Sequence, residues 1–340
     1  MDIVKNSMKY ISISAVAIIL SLWILLFGKL NLWIDMTWGI QMDYDYDKWV
    51  NIEEVNQEIS EAAKAITHNG NQVINDTLVY KITGENSLST VIGFYDITSD
   101  AKTQDEIRSI EKQLENYKMQ IRNETLEILQ SQDETIIESK YINIGKSFGD
   151  YIKNTAFLTL GIAIIAIAIY VMHAFSGAVS GINVFSFALI TIITLFHDVI
   201  ISTGLYIFTS MFYSEFQIDT FFITALLTIL GYSINDTIVV FDRIRDNLKK
   251  FAGKKWNDEK KLDEIVNMSI RETVVRSIYT SATLLFVLIT IFLFGPETIS
   301  GFVLVMIFGT IVGTYSSIFI ASPLFYIVNK NKKLSVYKKV

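Results

Sequence analysis

The sequence predicts a polytopic α-helical membrane protein: six transmembrane helices, with one external ferredoxin-like α+β domain between helices 1 and 2. Three observations predict it. Of the 340 residues, 51% are hydrophobic and only 2 are proline. Apolar runs of the roughly 20 residues needed to cross hydrocarbon recur six times. The acidic charge is concentrated: residues 35–152 hold 22 Asp and Glu against 10 Lys and Arg, although the whole chain carries a net charge of only -6.

The spans fall at 10–30, 155–173, 182–208, 217–240, 278–294 and 301–326. The first follows Lys5 and Lys9 and has no small-residue cleavage site behind it, so it reads as a retained anchor. Basic residues gather in the arm 1–9, the loop 241–277 (Arg243, Arg245, Lys249, Lys250, Lys254, Lys255, Lys260, Lys261, Arg271, Arg276) and the tail 327–340. The turns at 209–216 and 295–300 have none. Because positive charge is retained on the cytoplasmic side, both termini are expected there, and segment 31–154 outside, in a cytoplasmic (inner or plasma) membrane.

Inside that acidic insert the hydrophobic period alternates between two and 3.6. Gly39 to Tyr46 alternate as a strand, and Trp49, Ile52, Val55, Ile59, Ala62 and Ile66 recur at helical spacing before Gly70. Gln72 to Ile82 and Ser89 to Ile97 read as strands joined by a turn at Thr83-Gly84-Glu85-Asn86. Ile107, Ile110, Leu114, Tyr117, Ile121 and Ile128 mark a second helix, and Thr135 to Ile144 a last strand. The order βαββαβ is the ferredoxin-like plan.

Cysteine is absent and only 3 histidines are present, which argues against disulfides, thiol chemistry and a metal centre. No Gly-x-x-x-x-Gly-Lys loop offers ATP hydrolysis, and no basic face fits nucleic acid. A non-enzymatic membrane component without a cofactor is expected.

Chemistry is therefore sought among ionisable groups in the spans. A carboxylate at the centre of a span costs about 2.5 to 3.5 kcal/mol on insertion scales, so it marks a wet cavity or a partner. Asp236, in the run Gly231-Tyr232-Ser233-Ile234-Asn235-Asp236-Thr237, is the leading candidate; Ser233, Asn235 and Thr237 supply oxygens beside it. Asp198, preceded by His197, reads equally as a proton-coupling group, staggered with Asp236 along the membrane normal as a relay would need, or as a structural hydrogen bond to Ser202 or a neighbouring helix. Arg276, at the cytoplasmic mouth of the fifth span, reads equally as a cation that approaches and leaves Asp236 in proton coupling or as a snorkelling anchor. Burial disfavours the charged form of a carboxylate and a nearby cation favours it, so a group like Asp236 can be switched as its surroundings move. Asp242, Arg243 and Arg245 read as a solvated helix end, Asp242 and Arg245 being spaced for an i,i+3 pair. Tyr279, Thr280, Ser281 and Thr283 hydrate a path or bond backbone. Gly309 and Gly313 give a Gly-x-x-x-Gly packing face.

Gly231-Tyr232-Ser233-Ile234-Asn235-Asp236 with Phe241-Asp242-Arg243-Ile244-Arg245, Leu195-Phe196-His197-Asp198-Val199-Ile200, and Gly313-Thr314-Tyr315-Ser316-Ser317-Ile318-Phe319-Ile320-Ala321-Ser322-Pro323 together resemble the fourth, third and last spans of the SecF family. These are accessory subunits of the Sec translocase, in the SecD/SecF group of the RND superfamily. The resemblance implies an RND-like bundle, the partners SecD, the SecYEG channel, SecA and YajC, and a translocating unfolded polypeptide. It also implies late-stage export driven by the proton motive force, with Asp236 and Arg276 at the positions associated with proton coupling. The chain departs from the family where the first span ends: Ile34-Asp35-Met36-Thr37-Trp38-Gly39 keeps Asp35 and Gly39 but puts Trp38 where the family has glycine.

Two other functions share these features. A small-molecule exporter of the RND kind would keep the buried carboxylates but needs larger external domains than this insert. A passive scaffold would tie Asp236 into a permanent salt bridge. The coupling ion, H⁺ or Na⁺, is open, since oxygens around a carboxylate serve either.

Overall fold

The computed structural model describes residues 2–28, 38–47, 50–82, 86–98, 103–176, 182–213, 216–251, 259–296 and 299–330. In chain order they form α1 (Ser7–Phe27), β1 (Gly39–Asp45), α2 (Ile52–Ala65), β2 (Thr67–His68), β3 (Asn71–Gln72), β4 (Ile74–Ile82), β5 (Ser87–Phe94), α3 (Gln104–Gln132) and β6 (Ile137–Ile144). There follow α4 (Lys146–Ala174), α5 (Val184–Ser210), α6 (Thr220–Phe251), α7 (Glu259–Phe294), α8 (Ser300–Ser316), a π turn (Ser317–Ala321) and α9 (Ser322–Asn329). They separate into a sheet unit and a helical unit.

The sheet unit is ferredoxin-like: four antiparallel strands in the order β4-β5-β1-β6. Successive side chains of a strand face opposite ways, so Ile40, Met42 and Tyr44 of β1 turn to one face with Leu88 and Ile92 of β5. There they meet Val55, Ile59 and Ala63 of α2 and Leu114, Ile121 and Leu129 of α3. α3 opens on a reciprocal cap, the Thr103 hydroxyl accepting from Glu106 N–H and the Glu106 carboxylate from Thr103 N–H.

Where Gly70 was expected simply to end a helix, the chain makes an extra hairpin, β2–β3. Asn69 (φ 51°) and Gly70 (φ 82°) form its turn, and positive φ at both central residues is what an Asn-Gly pair supplies to a two-residue hairpin. The expected strand from Gln72 accordingly starts at Ile74. The 83–86 turn, save Asn86, and Trp49 lie outside the described residues, as does Asp35 at the end of the first span.

Trp38 takes the left-handed backbone that its glycine counterpart would adopt freely, with φ 63°. It is held there because its indole is buried and stacked on Phe94, centroids 6.0 Å apart. Gly39 is needed for a different reason: a β-carbon there would strike the carbonyl of Ile92 on β5.

Among the described residues six helices are long and apolar enough to cross a membrane: Ser7–Phe27, Phe148–Ala174, Val184–Ser210, Thr220–Lys250, Leu262–Phe294 and Ser300–Asn329. The last is interrupted by the π turn. Pro323 lacks an N–H and its ring crowds the carbonyl four residues back, at Phe319, so the helix widens just before it.

The fourth and fifth helices run far beyond their expected ends. The stretch 241–277, expected as a loop, is helical through Phe251 and again from Glu259. Ile244, Leu248, Leu262, Ile265, Val266 and Ile270 recur at helical spacing and are buried together with Ile3 and Val4; interleaved charge hides them from a hydropathy reading. The expected arm 1–9 is likewise fixed in place. Asn267 Oδ1 accepts from the N–H of Ile3 at 2.9 Å and of Val4 at 3.2 Å, and its amide donates to Asp2 Oδ1 at 2.9 Å.

At the same end, Phe187 packs against Phe175 (4.7 Å), Phe325 (5.0 Å) and Phe241 (5.3 Å) between ring centroids, joining α4, α5, α6 and α9.

Candidate functional site

Three close helix contacts set the site. Gly204 of α5 lies against Ser21 of α1, Gly309 of α8 lies against Ile229 of α6, and a β-carbon at Gly313 would stand 3.0 Å from that of Ser233. Small residues let helix axes approach where no hydrophobic effect drives them together. The Gly309/Gly313 face is thus a packing surface, and it sets α8 beside the polar run of α6.

Asp198 occupies the resulting junction and is wholly buried. Its Oδ2 accepts hydroxyl hydrogen bonds from Ser233 of α6 and, at 2.8 Å, from Ser316 of α8. Its Oδ1 faces His197 Nδ1 at 2.8 Å, while His197 Nε2 is buried with no partner among the described residues. The His197 ring lies parallel to Tyr315, centroids 6.5 Å apart. The hydroxyl partners of Asp198 therefore come from neighbouring helices; Ser202, one turn away on its own helix, has a buried hydroxyl without a partner among the described residues.

Asp236 lies three residues beyond Ser233 on α6, about 4.5 Å further along the axis at the helical rise. Its surroundings differ sharply. It is 5% exposed, and its Oδ2 has no hydrogen-bond partner among the described residues. The groups that act on it are Ser277, Ser281 and Arg276, all from α7. Ser281 is further engaged, accepting from Tyr232 OH at 2.9 Å and sharing a 2.5 Å contact with Thr314 of α8.

The oxygens expected beside Asp236 are thus turned elsewhere. Ser233 serves Asp198, the Thr237 hydroxyl is bonded to the Ser233 carbonyl at 3.3 Å, and Asn235 is exposed. Adjacent positions on a helix point about 100° apart, which turns Asn235 and Thr237 away from Asp236; Ser233, three residues back, is instead drawn off by the Asp198 carboxylate. Ser277 was missed; its signal was the i,i+4 spacing to Ser281 on a single face. Of the other polar groups of α7, Thr280 bonds the Arg276 and Ser277 carbonyls, Thr283 the Thr280 carbonyl, and Tyr279 is exposed.

Arg276 is exposed on the surface of this chain, and no ion pair joins it to Asp236. Arg245 does more than its expected pairing. Besides binding Asp242, it donates to the carbonyl of Ala174 at 3.3 Å and lies 5.5 Å over the Phe175 ring, closing the C-terminal end of α4. Arg243 reaches Glu272 of α7 at 3.5 Å, and Asn247 donates to the same carboxylate at 3.0 Å. Among the described residues no cluster of His, Cys, Asp or Glu could hold a metal ion.

Fold and site together define a multi-pass membrane protein with a ferredoxin-like insert and two carboxylates buried at different levels of one helical bundle. Residues 124–331 match the family model described as "Protein export membrane protein SecD/SecF, C-terminal". The chain is 32% identical over 332 residues to the protein translocase subunit SecF of Calditerrivibrio nitroreducens, an alignment covering 98% of this chain and 95% of that one. It is 32% identical over 340 residues to the SecF of Thermobaculum terrenum, covering 99% and 97%. The chain belongs to the SecD/SecF family of protein-export membrane proteins. Its fold is similar to that of SecDF, a translocon-associated membrane protein of Thermus thermophilus, with a TM-score of 0.69 and 23% identity over 95% of this chain. The match spans only 38% of that longer chain.

Proposed function

We propose that this protein is an accessory subunit of the Sec translocase that works with SecD and uses the proton motive force to promote late steps of export. In this reading both termini are cytoplasmic and the ferredoxin-like domain lies outside, where it meets the emerging polypeptide. The SecYEG channel, SecA and YajC are its further partners. The SecDF chain that this fold resembles is more than twice as long as this one, which supports SecD as a partner.

One observation carries the coupling: Asp236 is buried in its span and has an oxygen without a hydrogen-bond partner among the described residues. A carboxylate held permanently in a salt bridge would suit a passive scaffold. One left unpaired in a low-dielectric setting can gain and lose a proton as its surroundings change. Export into sealed vesicles under imposed proton or sodium gradients tests this. Asp236→Asn should accumulate normally in the membrane and abolish the gradient-dependent part of export, leaving the ATP-driven part. Wild-type gradient dependence in that variant refutes the reading, and response to sodium alone replaces the proton as the ion.

A further inference from the structure

We propose that Ser316 is a hydroxyl switch that reads the protonation of Asp198 and passes it to the backbone of the sixth span. This rests on the ion-coupled reading above and extends it to a second carboxylate.

Ser316 has one hydroxyl hydrogen and two acceptors in reach: Asp198 Oδ2 at 2.8 Å and the carbonyl of Gly313, in its own helix, at 3.1 Å. It can serve one at a time. While Asp198 is ionised it is acceptor-only, so Oδ2 takes the hydroxyls of both Ser233 and Ser316 and Oδ1 takes the Nδ1–H of His197. One proton added to Oδ2 turns that atom into a donor. Its new O–H points at Ser316 Oγ, and Ser316 must then turn its own hydrogen to Gly313 O. Ser233 and His197 keep their bonds, so the step is the gain of one proton and the rotation of one hydroxyl.

The receiving carbonyl has two lone pairs and shares them between two donors. Gly313 O accepts the N–H of Ser317, the first residue of the π turn. A hydroxyl committed to a carbonyl of the preceding turn weakens and bends a helix, and here it does so four residues before the π turn opens at Ser317. Protonation of Asp198 on the third span thus alters the backbone that leads into the π turn of the sixth through one side chain.

The elements packed around Asp198 leave few other titrating groups to confuse this. α5 brings His197. α8 brings Tyr315, whose hydroxyl donates to the Tyr10 carbonyl at 3.2 Å. α6 brings Ser233, with Asp236 one turn on. α1 presents a buried stripe of Ser7, Ser14 and Ser21, and the ring of Tyr10 packs on Phe319.

The test is infrared difference spectroscopy of the full chain in vesicles on acidification. The carboxylic C=O stretch of Asp198 is assigned by its loss in Asp198→Asn. Ser316→Ala removes the acceptor of the Asp198 O–H, so the stretch should move up in frequency and gradient-driven export should fall several-fold. Ser316→Thr should restore both. A band unmoved by Ser316→Ala, or no Asp198 band at any pH, overturns the switch. A band that moves with Ser316 while Asp236→Asn leaves gradient-driven export intact upholds the switch and refutes the function proposed above.

Discussion

Gly204 on α5 lies so close to Ser21 on α1 that a β-carbon at 204 would overlap the serine side chain. Ser7, Ser14 and Ser21, one every seven residues, are the buried positions of a helix whose other side chains are mostly exposed. The first span is therefore attached by small residues and close approach. Gly204→Val should cost about 1 to 3 kcal/mol through overpacking and release α1 from α5. Disulfide trapping between cysteines introduced at 14 and on α5 would report it; unchanged trapping would show that the helices tolerate a wider spacing.

Trp38 and Gly39 make opposite predictions for adjacent residues. Trp38 holds a left-handed conformation costing about 1 to 2 kcal/mol, yet removing a buried tryptophan costs about 3 to 5 kcal/mol. Trp38→Gly should therefore destabilise the sheet unit by roughly 2 kcal/mol net, the relief of strain being outweighed by the lost stacking on Phe94. Gly39→Ala should cost about 1 to 3 kcal/mol, because β1 and β5 cannot keep their spacing past the Ile92 carbonyl. Hydrogen exchange of the β1 and β5 amides in the full chain measures both; amides as protected as in the native protein would contradict them.

Arg245 joins two helix ends, and a cation near the last carbonyls of a helix opposes its dipole favourably. Arg245→Ala should lose that interaction and the contact with Phe175, about 1 kcal/mol together. Arg245→Lys should recover only part, because an ammonium lacks the planar face that stacks on the ring. Thermal unfolding in detergent should rank native, Lys and Ala in that order; an equal midpoint for all three would assign Arg245 to solvent.

Asp96 and Lys146 make the sheet unit sensitive to acid. Burial works against the Asp96 charge, but hydrogen bonds from Lys146, from the Thr98 hydroxyl and from the Thr98 N–H more than offset it, holding the carboxyl below its ordinary range. A depressed carboxylate contributes stability that is complete above the unfolded value, about 3.9, and is lost as pH falls through the lower folded value. Lys146→Met should raise the Asp96 midpoint toward the ordinary value and shrink that acid-side loss. A carboxyl titration by NMR that is indifferent to the substitution would remove Lys146 as the cause.

Much of this was legible beforehand. Six spans, the basic flanks and the βαββαβ order follow from period and composition, which act over many residues and average out local exceptions. The Asn69-Gly70 hairpin was missed because a helical pattern ran up to it, although the dipeptide itself is a turn signal. The long ends of α6 and α7 were missed because charged residues interrupt their apolar stripe, lowering hydropathy without breaking the helix. In the site, Asp198 and Asp236 were visible as charges in apolar runs, whereas Ser277 and Ser316 were two serines among many.

The residues alone determined that the chain crosses a membrane six times, that an acidic folded insert follows the first span, and that carboxylates are carried into the hydrocarbon. Hydropathy and charge are properties of short segments, so short segments suffice to read them. Only the tertiary structure decided which hydroxyls serve which carboxylate. Ser233 leaves its neighbour Asp236 for Asp198, Asp236 looks instead to the fifth helix, and Ser316 stands between a carboxylate and a carbonyl. Helix rotation and the spacing set by Gly204, Gly309 and Gly313 fix those pairings, and both depend on residues far apart in the chain.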